Sequence, residues 1–451
     1  MKKTPYKRLV PAAMIGVGTS VAPLVLLMFG IIQFNIIRLV GESEVTAMFG
    51  ICAGISSFAL VVLSPLGGFI ADRTYVKFGR RRFWILLGSL GGCICMYFFA
   101  NATSIFMLAC TWIFAQFFYG MVTNSSYSIV PEQVDQEKFG RVSGFIGASA
   151  PAFVMLGSMI VMGYFSAVSV QDKILMIAFG QLVGGLIATL LIIEPASVKP
   201  EVEVSNKDEV KGKNYFYPSF KLYPEYTWAL LTKLLINFTN AGLSMTTLFY
   251  IARFAMDEKS IFELNAFTSM GIALMVGSGL LGGFLSDKVR KQKPFVIMAA
   301  MITGVCMIAF AFSHNITLVI ISNFIFNLGF GMYNAVDNAL VNRILPSKDN
   351  YTKDISIMNV TTQLASSLVT FVAPVIIAFG AATFGDDGYT FFFLLLAGFS
   401  ILSAVVVFPI PEVGKPLKKD LMASLESGAT EAISSESPQQ TDANSMTKAH
   451  S

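Results

Sequence analysis

Twelve long apolar runs decide what this chain can fold into. They cover residues 9–37, 45–70, 83–100, 104–130, 142–165, 174–193, 228–252, 264–285, 295–312, 316–345, 355–379 and 389–408. A helix of about 20 mostly apolar residues crosses a bilayer, and each run reaches or approaches that length. Of the 451 residues, 54% are hydrophobic and 13% charged, whereas a soluble domain carries about 25% charge. One water-soluble globule of this size cannot hide so much apolar surface. The runs lack the alternation of outer-membrane barrel strands. The first run is too long for a signal peptide and no small-residue cleavage site follows it. The expected fold is an all-α membrane protein of twelve transmembrane helices.

Basic residues orient the spans. With the N-terminus in the cytoplasm, 27 of the 32 Lys and Arg fall on that side. The others are Arg38, Lys173, Lys233, Arg253 and Lys259. The expected location is therefore the cytoplasmic membrane, with both termini inside. Residues 1–193 read as a first six-helix bundle and 228–410 as a second. Between them, 194–227 carries Pro195, Pro200 and mixed charge and reads as a cytoplasmic linker. The tail 411–451 is polar without apolar period and reads as disordered.

Several function classes drop out. Cys52, Cys93, Cys95, Cys110 and Cys306 all sit in apolar runs and read as small hydrophobes. His314 and His450 lie outside the runs. No Ser/His/Asp set, metal-ligand spacing or phosphate-binding GxxxxGK[ST] motif is present, so neither enzyme, cofactor nor metal is expected. A net charge of +4 gives no reason to expect nucleic acid.

The two halves repeat. Gly67-Gly68-Phe69-Ile70-Ala71-Asp72-Arg73 ends span 2, and Gly282-Gly283-Phe284-Leu285-Ser286-Asp287-Lys288 ends span 8, 215 residues later. Gly120-Met121 in span 4 returns as Gly331-Met332 in span 10. Two matches at similar offsets argue for a duplicated six-helix unit. Gly68-x-x-x-Asp72-Arg73 followed by Gly79-Arg80-Arg81-Arg82 resembles the loop signature of the major facilitator superfamily. The insert Thr74–Phe78, Pro131-Glu132-Gln133, Gly140-Arg141-Val142-Ser143-Gly144 and Val336-Asp337-Asn338-Ala339-Leu340 resemble its branch of sucrose-transporter-like and glycoside–pentoside–hexuronide:cation symporters. The resemblance spans about residues 5–410. It implies two pseudo-symmetric bundles with a midplane site between them.

Charge at the inner ends has two readings. Asp72, Arg73, Arg80, Arg141 and Asp287 form a conformational latch that holds one state and breaks in the other, or they are topogenic charge. Asp72 adds nothing to topology, which favours the latch.

Polar residues inside spans are costly and usually face the bundle interior. At 100° per residue, Asn323, Asn327, Asn334 and Asp337 of span 10 share one stripe. So do Lys233, Asn237, Asn240 and Ser244 of span 7, Gln116, Thr123 and Tyr127 of span 4, and Asn359, Gln363 and Ser366 of span 11. Span 1 adds Gln33. Neutral amides both donate and accept, which suits a polyhydroxylated ligand; amides also glue membrane helices together. The substrate-binding candidates are Gln33, Gln116, Tyr127, Asn237, Asn240, Asn323, Asn327, Asn334 and Gln363.

Asp337 is the one acid placed well inside a predicted span. Either it takes up a proton during transport or it pairs with Lys233 or Arg343 and fixes packing. Span 2 has no acid between Val45 and Ile70, and Gln116 stands where sucrose-transporter relatives carry an acid. The coupling chemistry that the resemblance implies is therefore absent or moved to Asp337.

The expected function is secondary active transport of a small polar solute, a sugar or glycoside, by alternating access. H+ is the candidate coupling ion, the bilayer the medium and the monomer the working unit. The alternative is an exporter of drugs, lipids or metabolites on the same fold, which the 22 Met and 40 Phe would suit.

Overall fold

A computed structural model describes residues 4–134, 136–194, 224–289, 291–344 and 351–410. Every regular element among them is a helix. Twelve are long and apolar enough to cross a membrane. They are α1 (Tyr6–Val40), α2 (Val45–Ala71), α3 (Arg80–Ala100), α4 (Ile105–Ile129), α5 (Val142–Tyr164), α6 (Val170–Leu191), α7 (Pro224–Phe254), α8 (Glu258–Ser286), α9 (Lys293–Phe312), α10 (Ile316–Asp337), α11 (Val360–Phe384) and α12 (Tyr389–Val406). Only helices satisfy every backbone N–H and C=O from within, which hydrocarbon demands of an open chain. Several predicted bounds shift, two of them at the start of the second half. The helix α7 starts inside the expected linker, and α8 starts six residues before the apolar run, taking in Glu258, Lys259 and Glu263. Most of the linker and the tail lie outside the described residues.

The packing repeats every six helices. In the first half α3 packs on α4 and α6, α2 on α4, and α1 on α5 and α6. In the second, α9 packs on α10 and α12, α8 on α10, and α7 on α11 and α12. The helices α2 and α11 join the halves.

The repeated sequence motifs turn out to touch one another. A Cβ on Gly67 would stand 2.6 Å from Sδ of Met121, and one on Gly282 would stand 2.6 Å from Cγ of Met332. Each half thus seats the motif methionine on the motif glycine, which lets the helices approach closely. Gly68 plays no such part, since nothing lies within 4 Å of its Cβ position.

A second correspondence joins the far ends, away from the chain's termini. The Arg38 guanidinium at the end of α1 donates to the carbonyls of Ala100 (3.2 Å) and Ala102 (2.9 Å), which end α3. Arg253, 215 residues later at the end of α7, donates to the carbonyls of Phe310 (3.4 Å) and Ala311 (2.7 Å), which end α9. Each arginine answers carbonyls that its neighbour helix leaves unpaired. Arg253 is also paired with Asp387 at 2.5 Å.

Both leading helices break. In α1 the ladder loosens over Leu27–Ile31, where Phe29 (φ −83°, ψ 31°) and Gly30 (φ 112°) leave helical geometry. Only glycine takes that φ without strain. In α7 a tighter 3₁₀ turn covers Leu243–Met245.

These contacts predict a contrast between two glycines. A Cβ on Gly331 would meet the Met275 carbonyl oxygen at 2.0 Å. Gly331→Ala is expected to cost about 1–3 kcal/mol as overpacking. Gly68→Ala is expected to stay within about 0.5 kcal/mol of the parent. Thermal unfolding in detergent micelles reads both.

Candidate transport cavity

A cavity of about 540 Å³ lies between the halves, bounded by α1, α5, α7, α8, α10 and α11. Its two walls differ in kind. The first half supplies apolar side chains only, among them Val25, Met28, Phe29 and Val154. The second half supplies the hydroxyls and amides, among them Asn240, Ser244, Asn265, Thr268, Asn323 and Asn327, together with apolar side chains such as Leu243, Ile272, Met275 and Phe330. Among the described residues that line it, none is charged.

The broken helices explain part of this wall. Where α7 tightens to 3₁₀, Leu243, Ser244, Thr246 and Thr247 all reach the cavity. In α10 the regular spacing puts Asn323 and Asn327 on one face. There Nδ2 of Asn327 donates to Oδ1 of Asn323 at 3.1 Å and to its carbonyl at 2.9 Å. This pair still leaves the Asn323 N–H groups and a carbonyl oxygen of Asn327 for a solute.

Of the predicted binding residues, Asn240, Asn323 and Asn327 line the cavity. The others do not. Gln33 is fully buried and its Nε2 donates to the Ser244 carbonyl at 3.1 Å. Gln116 is buried and is not among the lining residues. Asn237 turns back along its own helix to the Lys233 carbonyl at 2.7 Å, as short polar side chains do in helices. Tyr127, Asn334 and Gln363 are exposed and are not among the lining residues. Asn265, Thr268 and Thr370 also line the cavity and fall outside the polar stripes read from the sequence.

Asp337 is 2% exposed and stands off the cavity. Its Oδ2 is 3.2 Å from Nζ of Lys233, and the Tyr333 hydroxyl donates to Oδ1 at 3.3 Å. Of its two sequence-suggested cations, Lys233 is thus in contact. The Arg343 side chain lies outside the described residues, and so do those of Asp72, Arg141 and Asp287.

Two proposed latch members can be placed. Arg73 stacks on the Phe69 ring at 3.8 Å. Arg80 reaches Glu132 at 2.9 Å, and Arg81 reaches the same carboxylate at 2.8 Å. Glu132 lies in the last turn of the helix that carries α4 and runs to Gln133, so this network joins the start of α3 to the inner end of that helix. Glu194 adds a cap: its carboxylate accepts from the backbone N–H of Arg81 (2.9 Å) and Arg82 (3.0 Å). Anions favour a helix N-terminus in this way. The run Pro131-Glu132-Gln133 carried the signal for Glu132; nothing in the sequence flagged Glu194.

At the far end several bonds cross between the halves. Nδ2 of Asn265 donates to the Phe29 carbonyl at 2.7 Å, and the Ser166 hydroxyl donates to Glu263 at 3.0 Å. Nζ of Lys173 lies 4.3 Å from the centre of the Phe262 ring.

Twelve paired helices around a central, uncharged cavity define a transporter fold. The chain matches the Major Facilitator Superfamily over residues 13–370 and belongs to it. It is similar to the multi-drug resistance efflux pump PmrA of Streptococcus pneumoniae, with 25% identity over 309 residues, 68% of this chain and 74% of that protein. Among solved structures it is similar to a D-xylose–proton symporter (TM-score 0.69, 16% identity, covering 91% and 99% of the two chains). It is also similar to the nucleoside transporter NupG (0.68, 14%, 89% and 99%) and to a bacterial homologue of the human lysosomal transporter Spinster (0.65, 14%, 91% and 99%). At these identities the structures establish the shared fold alone. The chain is thus a multi-pass membrane transporter of the major facilitator type.

The Lys233–Asp337 pair yields a prediction. Lys233→Met leaves an unpaired buried carboxylate and is expected to destabilise by about 3–5 kcal/mol. Lys233→Met with Asp337→Leu removes both charges and is expected to recover most of that loss. A double-mutant cycle on thermal unfolding measures the coupling.

Proposed function

We propose that this protein moves an uncharged, hydroxyl-rich solute, a sugar or glycoside, across the cytoplasmic membrane by alternating access, working as a monomer. The observation that carries this reading is the two-faced cavity. One wall offers neutral donors and acceptors and the other offers hydrocarbon and the Phe29 ring. A sugar ring has hydroxyls at its edge and C–H groups on its faces. An apolar aglycone would extend over the α1 and α5 wall, so a glycoside uses both surfaces. A charged solute would find no counter-ion on the lining. The branch resemblance to glycoside symporters points the same way.

Among the described residues, Gln33–Ser244, Asn265–Phe29 and Ser166–Glu263 cross between the halves toward the far end, and Ser367 to the Gly54 carbonyl crosses nearer mid-span, which supports a far end that is shut. With the basic ends in the cytoplasm, the conformation is inward-facing. Asp337 is the proposed coupling group. A proton taken up by its carboxyl would break the pairing with Lys233 and loosen α10 from α7.

A second reading is export of an amphipathic compound. The apolar wall favours it, and the similar PmrA is an efflux pump by name. Reconstituted proteoliposomes separate the two. Uptake of labelled mono-, di- and aryl-glycosides, with and without a protonophore, is expected to find a saturable glycoside. Expulsion of lipophilic compounds with no glycoside movement would overturn the first reading.

Two variants sharpen the assignment. Asn323→Ala is expected to raise the solute KM about 3- to 10-fold with little loss of kcat, the worth of one neutral hydrogen bond. Asp337→Asn is expected to abolish accumulation against a gradient while sparing solute exchange. Full accumulation by that variant under an imposed pH gradient would remove Asp337 from coupling.

A further inference from the structure

The breaks in α1 and α7 occupy matching places, with Phe29 and Ser244 215 residues apart. Breaking a helix inside a membrane frees a carbonyl, and hydrocarbon supplies nothing to bond it. Both freed carbonyls are answered, and each is answered from the opposite half. The Phe29 carbonyl accepts from Asn265 of α8 at 2.7 Å, and the Ser244 carbonyl accepts from Gln33 of α1 at 3.1 Å. Both amides are buried. The two bonds run in opposite senses across one seam, like a pair of crossed bolts.

We propose that Gln33 and Asn265 are the bolts of the far gate: the two helix breaks expose carbonyls so that amides of the opposite half can hold the cavity shut at that end. The inference rests on the alternating-access reading above. To open the far end, α1 must part from α7 and α8, and both bonds must break. Gln33 is thus a gate residue and not a solute ligand. It touches no cavity surface, and its work is the bond to Ser244.

Neighbouring contacts on the seam, such as Ser166 with Glu263 and Lys173 over Phe262, involve other residues and remain in the variants below. Removing a bolt therefore shifts the balance of open and shut states without dismantling the seam. A side-chain hydrogen bond inside a membrane protein is worth about a threefold change in such a balance. Loss of both is expected to give roughly tenfold if they act independently.

The test places spin labels on exposed far-end turns, at Thr103 between α3 and α4 and at His314 between α9 and α10, one in each half. The full chain, with its five native cysteines replaced by alanine, is reconstituted in lipid. Pulsed electron resonance then reads the label separation. The parent is expected to show a dominant short separation and a minor long one. Gln33→Met and Asn265→Ala are each expected to raise the long fraction about threefold relative to the short, with thermal stability retained. A long fraction that neither variant alters overturns the bolts and leaves alternating access standing. One fixed separation in the parent, with or without the glycosides of the transport panel, overturns both. Where the double variant does not fold, Asn265→Ala alone decides the question.

Discussion

An unpaired carbonyl in hydrocarbon costs several kcal/mol, and much of this structure follows from that one constraint. It forces the chain into helices and leaves liabilities only where helices end or break. The ends of α3 and α9 are met by arginines from the ends of α1 and α7. The N-terminus of α3 is met by Glu194. The breaks in α1 and α7 are met by amides across the seam. Charged and polar side chains in the spans are therefore placed where the backbone needs them, as well as where a solute would.

Duplication gives the framework and divergence gives the site. The glycine–methionine seat, the arginine caps and the helix breaks recur in both halves at nearly constant spacing. The cavity wall does not recur. At the level of the break, α1 presents Val25, Met28 and Phe29, while α7 presents Asn240, Ser244 and Thr247. The first half turns an apolar face toward the centre, and the second carries the neutral polar groups. The frame and the lining have thus been constrained separately.

Much of the frame was legible in the sequence. Hydropathy finds all twelve helices because each must present some twenty apolar residues to lipid. It places the start of α8 late because its first turn is charged and packs toward the other half, where a window average reads loop. The paired motifs were visible as repeats, although their mutual contact was not. The lining was only partly legible. Helical angles put Asn323 and Asn327 on the cavity correctly because α10 is regular there. In α7 the same arithmetic puts Asn240 and Ser244 on the cavity, while the amide of Asn237 turns back to its own helix. Gln33 reads as an intramembrane amide; the carbonyl it bonds lies 211 residues away, beside the break in α7.

The one-sided polarity of the cavity has a mechanical consequence. A hydroxylated guest would be fastened to the second half and merely brushed by the first. As the halves rock, such a guest would ride with α7, α8, α10 and α11, while the apolar lining of α1 and α5 holds no polar bond to the guest itself. The two related bundles would then divide the labour, one as the vehicle and the other as the shutter.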